Sequence, residues 1–142
     1  MTLEMADVLP SFRFGPVSPE SMVIWADVLR DPNPIHLDRS AVAAMGLGTM
    51  LINQGPANLA YLLNAVLEAY PGAVVERFSS RFVGNVLEGD MVVVSGTVTE
   101  IEPTLGGARV TIAMVLQVEG RGHALTATVV ARVPQANGPV AH

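Results

Sequence analysis

The sequence predicts an α+β domain in which an antiparallel sheet of about five strands wraps around one long helix. Three observations predict it. Four strand-like runs follow one another in the second half of the chain with only short turns between them, which is the pattern of an antiparallel meander. A single helix-periodic segment precedes them. That segment carries almost no charge, so it needs a sheet to cover it. With 142 residues, half of them apolar, the chain is expected to form a single domain over residues 1–142 with one core, and at this size it needs no disulfide or metal for stability.

Each element has its own local reason. Phe12–Phe14 can supply a first strand. From Ser18, the segment SPESMVIWADVLR reads as a helix with Ser18 as its cap, Pro19 at its first position and Glu20 at the positive end of its dipole. It should stop near Arg30, because Asp31-Pro32-Asn33-Pro34 holds two prolines that remove donors and restrict the residues before them. A short helical turn is expected around Ser40–Met45, broken at Gly46 and Gly48. Leu59, Leu62, Leu63, Val66 and Leu67 then recur at helical spacing from about Pro56 to Tyr70, and Pro71-Gly72 ends the run. Apart from Glu68 this helix lacks charge, so protein should surround most of its sides. The strands are expected at Val74–Phe82, Met91–Ile101, Ala108–Glu119 and His123–Val133. The turns between them are Leu87-Glu88-Gly89-Asp90, Pro103-Thr104-Leu105-Gly106-Gly107 and Gly120-Arg121-Gly122.

Composition narrows the chemistry. There is no cysteine, hence no thiolate nucleophile, iron–sulfur cluster or thiolate zinc site, and nothing that calls for an oxidising compartment. All eight basic residues are arginines, and the absence of lysine removes the Walker A phosphate loop and every lysine Schiff-base mechanism. A net charge of −5 with scattered arginines gives no footprint for a nucleic-acid backbone. The start, MTLEMADVLP, lacks the features of a signal peptide, and a cytoplasmic location is the expectation. The uncharged stretch from Ser40 to Leu67 is interrupted by glycines, asparagines, Gln54 and Pro56, so no membrane insertion is expected. Mean hydropathy is +0.43, high for a small monomer, which predicts that a partner chain covers surplus apolar surface.

The chemistry-bearing segment is Asp31-Pro32-Asn33-Pro34-Ile35-His36-Leu37-Asp38. A carboxylate and an imidazole five residues apart on a loop stiffened by two prolines can converge on one water or one substrate proton, as paired general acid–base catalysis requires. Asn33 is expected to hold the loop through backbone hydrogen bonds. The same residues also suit ordinary Asx turns around a half-buried histidine. His123 opens a strand and His142 is terminal; no two histidines have metal-ligand spacing, so no metal is expected.

The run D-P-N-P-I-H-L-D resembles the D-x-N-P-x-H signature of the (R)-specific enoyl-CoA hydratases, the MaoC-like dehydratase branch of the hot-dog superfamily. Four fixed residues at this spacing arise by chance on the order of once in a thousand chains of this length. Phe82-Val83-Gly84-Asn85-Val86-Leu87-Glu88-Gly89-Asp90 also looks like the family's F-x-x-x-V-x-x-G-D link into the meander. The resemblance implies a single MaoC-like hot-dog domain that adds water to a trans-2-enoyl thioester, or removes it from the (R)-3-hydroxyacyl thioester, with Asp31 and His36 as the acid–base pair. It implies no cofactor beyond the thioester carrier, coenzyme A or acyl carrier protein. It also places Gly55 as the backbone oxyanion donor at the start of the buried helix, with Gln54 beside it.

Two positions depart from the pattern. Leu29-Arg30 replaces a small residue and glycine, and Arg30 either weakens Asp31 as an acid or points outward toward a phosphate of coenzyme A. Gln54 stands where a histidine is usual; it can donate a hydrogen bond but cannot titrate. Arg77 and Arg81 share one strand face and can meet the nucleotide end of coenzyme A. The resemblance further implies a homodimer or higher oligomer with the acyl tunnel along its interface, Met45, Met50 and Leu51 lining it. The alternatives are a subunit of a heteromeric hydratase that needs a related partner chain, and a hot-dog acyl-CoA thioesterase, a branch that does not carry D-x-N-P-x-H.

Overall fold

The computed structural model describes residue 4 and residues 7–135; His142 lies outside them. The element order is β1 (Phe12–Phe14), α1 (Pro19–Leu29), a 3-10 turn at Pro34–His36, α2 (Arg39–Ala44), α3 (Gly55–Ala69), β2 (Val74–Phe82), β3 (Val92–Thr104), β4 (Gly107–Val118) and β5 (Gly122–Pro134). The five strands form one sheet in the order β1-β3-β4-β5-β2, antiparallel throughout. Short connections explain β3, β4 and β5 as neighbours, but β2, expected beside β3 in a four-strand meander, pairs with β5 at the far edge, so residues 83–91 are a crossover across the sheet and not a hairpin turn.

The expected caps are present. The Ser18 side chain accepts from the Ser21 N–H at 3.1 Å and Pro19 is the first helical residue. The Asp38 carboxylate likewise accepts from the Ser40 N–H at 2.8 Å, which starts α2 at Arg39 rather than Ser40. Helix α3 lies across β3 and β4. Its Leu62, Ala65 and Val66 are buried against the same core as Ile112, Met114, Leu116, Leu125, Val129 and Ala131. The periodicity of the strands sets this: alternate residues of β4 and β5 point to the helix and the others to solvent.

Three further expectations need correction. The β3–β4 hairpin turn is tighter than the five residues expected, because Pro103 pairs with Ala108 and Thr104 with Gly107, leaving Leu105-Gly106 as the loop. Proline is tolerated there because β1 pairs only with Val92–Val94, so the far end of β3 is a sheet edge on which a missing donor costs no ladder bond. Helix α3 is not enclosed on most sides within one chain: Asn64, Leu67 and Glu68 are exposed, since the sheet covers only one face. Leu51, expected to line an interface tunnel with Met45 and Met50, is instead a core residue, whereas Met45 and Met50 are exposed on the single chain at 60% and 41%. Among the described residues no helix is long and apolar enough to cross a membrane.

Candidate active site

The loop between α1 and α2 is fixed residue by residue. Helix α1 ends with Arg30 in the left-handed region (φ 51°, ψ 44°), and the N–H groups of Arg30 and Asp31 turn back to Asp27 O and Ala26 O at 3.2 and 2.9 Å. This is a Schellman-type closure, which places Asp31 immediately outside the helix with its backbone tied to it. Asp31 Oδ1 then accepts the Asn33 N–H at 3.0 Å, and Asn33 Oδ1 caps the 3-10 turn by accepting the Ile35 N–H at 3.3 Å. Asn33 therefore acts on the backbone, as its residue type predicts.

The 3-10 turn delivers His36 inward. Its side chain is 8% exposed and its Nε2 lies 3.2 Å from Asp31 Oδ2, while its Nδ1 lies 2.6 Å from the Ile52 carbonyl oxygen. A carbonyl can only accept, so Nδ1 carries a proton and Nε2 is the nitrogen left to exchange one. With Asp31 Oδ1 engaged by Asn33, Oδ2 is the free carboxylate oxygen. The loop thus brings one carboxylate oxygen and one imidazole nitrogen together, with Asp31 still 31% exposed and reachable by water. A pair so arranged can take a proton from one atom and deliver one to another.

Ile52 is the residue that sequence reasoning missed. It acts through its backbone, which leaves no trace in side-chain patterns. Ile52 N–H donates to Ile35 O at 3.1 Å, so the segment grips the dyad loop twice. Three residues on, Gly55 opens α3, and its N–H is one of the first-turn donors that a helix leaves without an internal partner. A Cβ on Gly55 would sit 3.3 Å from the Phe82 ring, so the close approach of β2 favours glycine here.

Around this point the core is polar. Gln54 is fully buried and donates through Nε2 to Met22 O at 2.8 Å, tying α3 to α1; its Oε1 has no protein partner. Asn53 donates to Asn58 Oδ1 at 2.8 Å. Burial raises the Tyr61 phenol above its ordinary pKa, opposed by a hydrogen bond with Asn53. The residues expected at the site fall into two groups. Asp31, Asn33 and His36 interlock on one loop, and Gln54 and Gly55 head α3 next to the segment that anchors His36.

The remaining arginines are placed elsewhere. Arg30 is exposed and makes no ion pair among the described residues. Arg77 and Arg81 are exposed on one face of β2. Arg77 borders a depression shared with Glu76, Glu100, Glu102 and Arg109, whose three carboxylates to two guanidinium groups make it unfavourable for a polyphosphate. His123 is exposed at the start of β5.

The sequence profile of the MaoC like domain matches residues 10–119. The chain belongs to the MaoC-like domain family. Solved structures agree on the hot-dog fold. A chain of the ChsH1–ChsH2 complex from Mycobacterium tuberculosis is 25% identical, covers 94% of this chain and 99% of its own, and superposes with a TM-score of 0.80. The (R)-hydratase from A. caviae involved in PHA biosynthesis is 20% identical over 94% of this chain and 98% of its own, with a TM-score of 0.84. A chain of the HadBC (3R-hydroxyacyl-ACP dehydratase) complex, also from Mycobacterium tuberculosis, is 15% identical over 92% and 98%, with a TM-score of 0.72. A search of curated proteins finds no match.

Proposed function

We propose that this MaoC-like protein is an (R)-specific hydro-lyase that adds water to a trans-2-enoyl thioester, or removes it from the 3-hydroxyacyl thioester, with coenzyme A as the carrier thiol. The observation that carries the reading is the Asp31 Oδ2 to His36 Nε2 approach of 3.2 Å with Nδ1 held on a carbonyl. In hydration, the pair takes a proton from water as its oxygen bonds to the β-carbon. The displaced π electrons reach the thioester oxygen, and a proton passes to the α-carbon. The Gly55 N–H at the head of α3 is suited to the negative oxygen, since helix start and hydrogen bond act together there.

Strand β2 bears on the partner. Phe78 and Phe82 pair in register with Val129 and Leu125, which are core residues, so they point to the helix side of the sheet, yet they are 41% and 52% exposed. An edge strand with uncovered aromatic residues on its core face favours continuation of the sheet into a second chain. A homodimer follows as the first reading. The heteromeric complexes among the structural neighbours favour a second, in which a related chain supplies the other half of the assembly.

The test is the loss of enoyl absorbance when purified protein meets crotonyl-CoA and longer or bulkier trans-2-enoyl-CoAs, with the mass in solution measured in parallel. Turnover by a species of twice the 14.9 kDa chain supports the homodimeric enzyme. Turnover only after a related chain is added supports the heteromer. Release of free coenzyme A from a saturated acyl-CoA supports a thioesterase instead.

A further inference from the structure

Glu88 is the one buried carboxylate among the described residues, 7% exposed, and it faces a cation that is not buried: Arg39, whose side chain is 59% exposed. The pair is bidentate, with Arg39 Nε 2.8 Å from Oε1 and Nη2 2.9 Å from Oε2. This pairing raises the guanidinium above its ordinary pKa.

The two residues stand at the ends of the two pieces that hold His36. Arg39 begins α2 directly after the 3-10 turn that carries His36, and the intervening Leu37 and Asp38 donate to Pro34 O at 3.0 and 2.8 Å. Glu88 lies in the link into β3. Its N–H donates to Leu51 O at 2.9 Å, and Asn53 N–H donates to Val86 O at 2.7 Å, so residues 86–88 brace Ile52 from both sides. Ile52 O receives His36 Nδ1. The contacts close a ring: His36, the turn, Arg39, Glu88, Leu51–Asn53, and back to His36.

We infer that Arg39 and Glu88 are a positioning pair that holds the Ile52 carbonyl on His36 Nδ1, and so keeps Nε2 aimed at Asp31. A pair that served stability alone could be replaced by apolar side chains without loss, since a buried carboxylate must be desolvated. The planar two-point contact adds direction that apolar packing lacks. The kinetic part of this inference rests on the hydratase reading; the effect on His36 does not.

The experiment uses the full chain with Arg39→Met and Glu88→Met together, which removes both charges and strands neither. The thermal midpoint is expected to be kept or raised. The His36 Nδ1–H resonance, assigned by its absence in His36→Gln, should shift and exchange faster with solvent. Turnover should fall about tenfold to a hundredfold, the scale of a misplaced catalytic group, with KM unchanged. Glu88→Gln, which keeps the shape, should give an intermediate effect on both readouts, and it carries the test if the double variant does not fold. Unchanged His36 signals in a folded variant overturn the inference even when wild type is an active hydratase. Altered His36 signals in a protein inactive on every thioester uphold the inference and count against the hydratase reading.

Discussion

Replacing Arg30 by glycine should make the protein more stable, although it removes a side chain and adds nothing. Arg30 is the only non-glycine residue with positive φ among the described residues, at φ 51° and ψ 44°. A side chain costs about 1–2 kcal/mol in this region because its Cβ crowds the following carbonyl. Glycine removes that strain but frees the unfolded chain by about 0.4–1 kcal/mol. The midpoints of the two ranges leave a net gain of about 0.8 kcal/mol. For a chain of this size that is roughly 1–4 °C in thermal midpoint. The guanidinium makes no ion pair among the described residues, so no lost ion pair offsets the gain. Arg30→Ala supplies the control: it keeps the Cβ and hence the strain, and should leave the midpoint near that of wild type. Calorimetry of the three proteins at one concentration is the assay. Equal midpoints for the glycine and alanine variants would refute the reasoning and show that the Schellman closure before Asp31 holds arginine without strain.

Further outcomes follow from the same geometry. Gly55→Ala should fold, because the Phe82 ring 3.3 Å away is half exposed and can yield, but should lower turnover by disturbing the thioester against the head of α3; native turnover would remove Gly55 from the proposed site. Burial raises the pKa of both tyrosines, Tyr61 and Tyr70, above the ordinary 10.0, with Asp7 adding to the effect at Tyr70. Because the unfolded phenols ionise first, the tyrosines' contribution to stability should be level below pH 10 and fall as pH rises above it; tyrosinate absorbance appearing in the native protein below pH 10 would contradict this. Phe78→Glu, on the uncovered core face of β2, should shift the protein toward monomer in sedimentation without unfolding the chain, and an unchanged mass would place the interface elsewhere.

Much of the fold was legible because it rests on periods and punctuation. The runs Val74–Phe82 and Phe12–Phe14 are strands with the expected bounds, and Ser18-Pro19 starts α1 where cap chemistry places it. Pro103 was misread as a turn residue because proline marks loops locally; only the short reach of β1 reveals that its strand is an edge there. The exposed side of α3 was invisible for the opposite reason, since an apolar surface reads alike whether its cover is the same chain or another.

At the site, the loop was legible and its supports were not. Two prolines and an Asx residue announce a rigid turn, and Asp31, Asn33 and His36 do meet on it. The Ile52 carbonyl leaves no side-chain signature. Arg39 and Glu88 are 49 residues apart in the chain, on elements whose approach depends on how β2 runs along the sheet edge. Gln54 was legible as a donor, but its acceptor, Met22 O, comes from another helix.

The most direct test of the account is the rate of enoyl-thioester hydration by wild type, Asp31→Asn and His36→Ala, each confirmed as folded. The account predicts that wild type hydrates at least one trans-2-enoyl-CoA and that each variant is slower by about a hundredfold or more, the scale of a general acid–base group. Near-native turnover in either variant would contradict it.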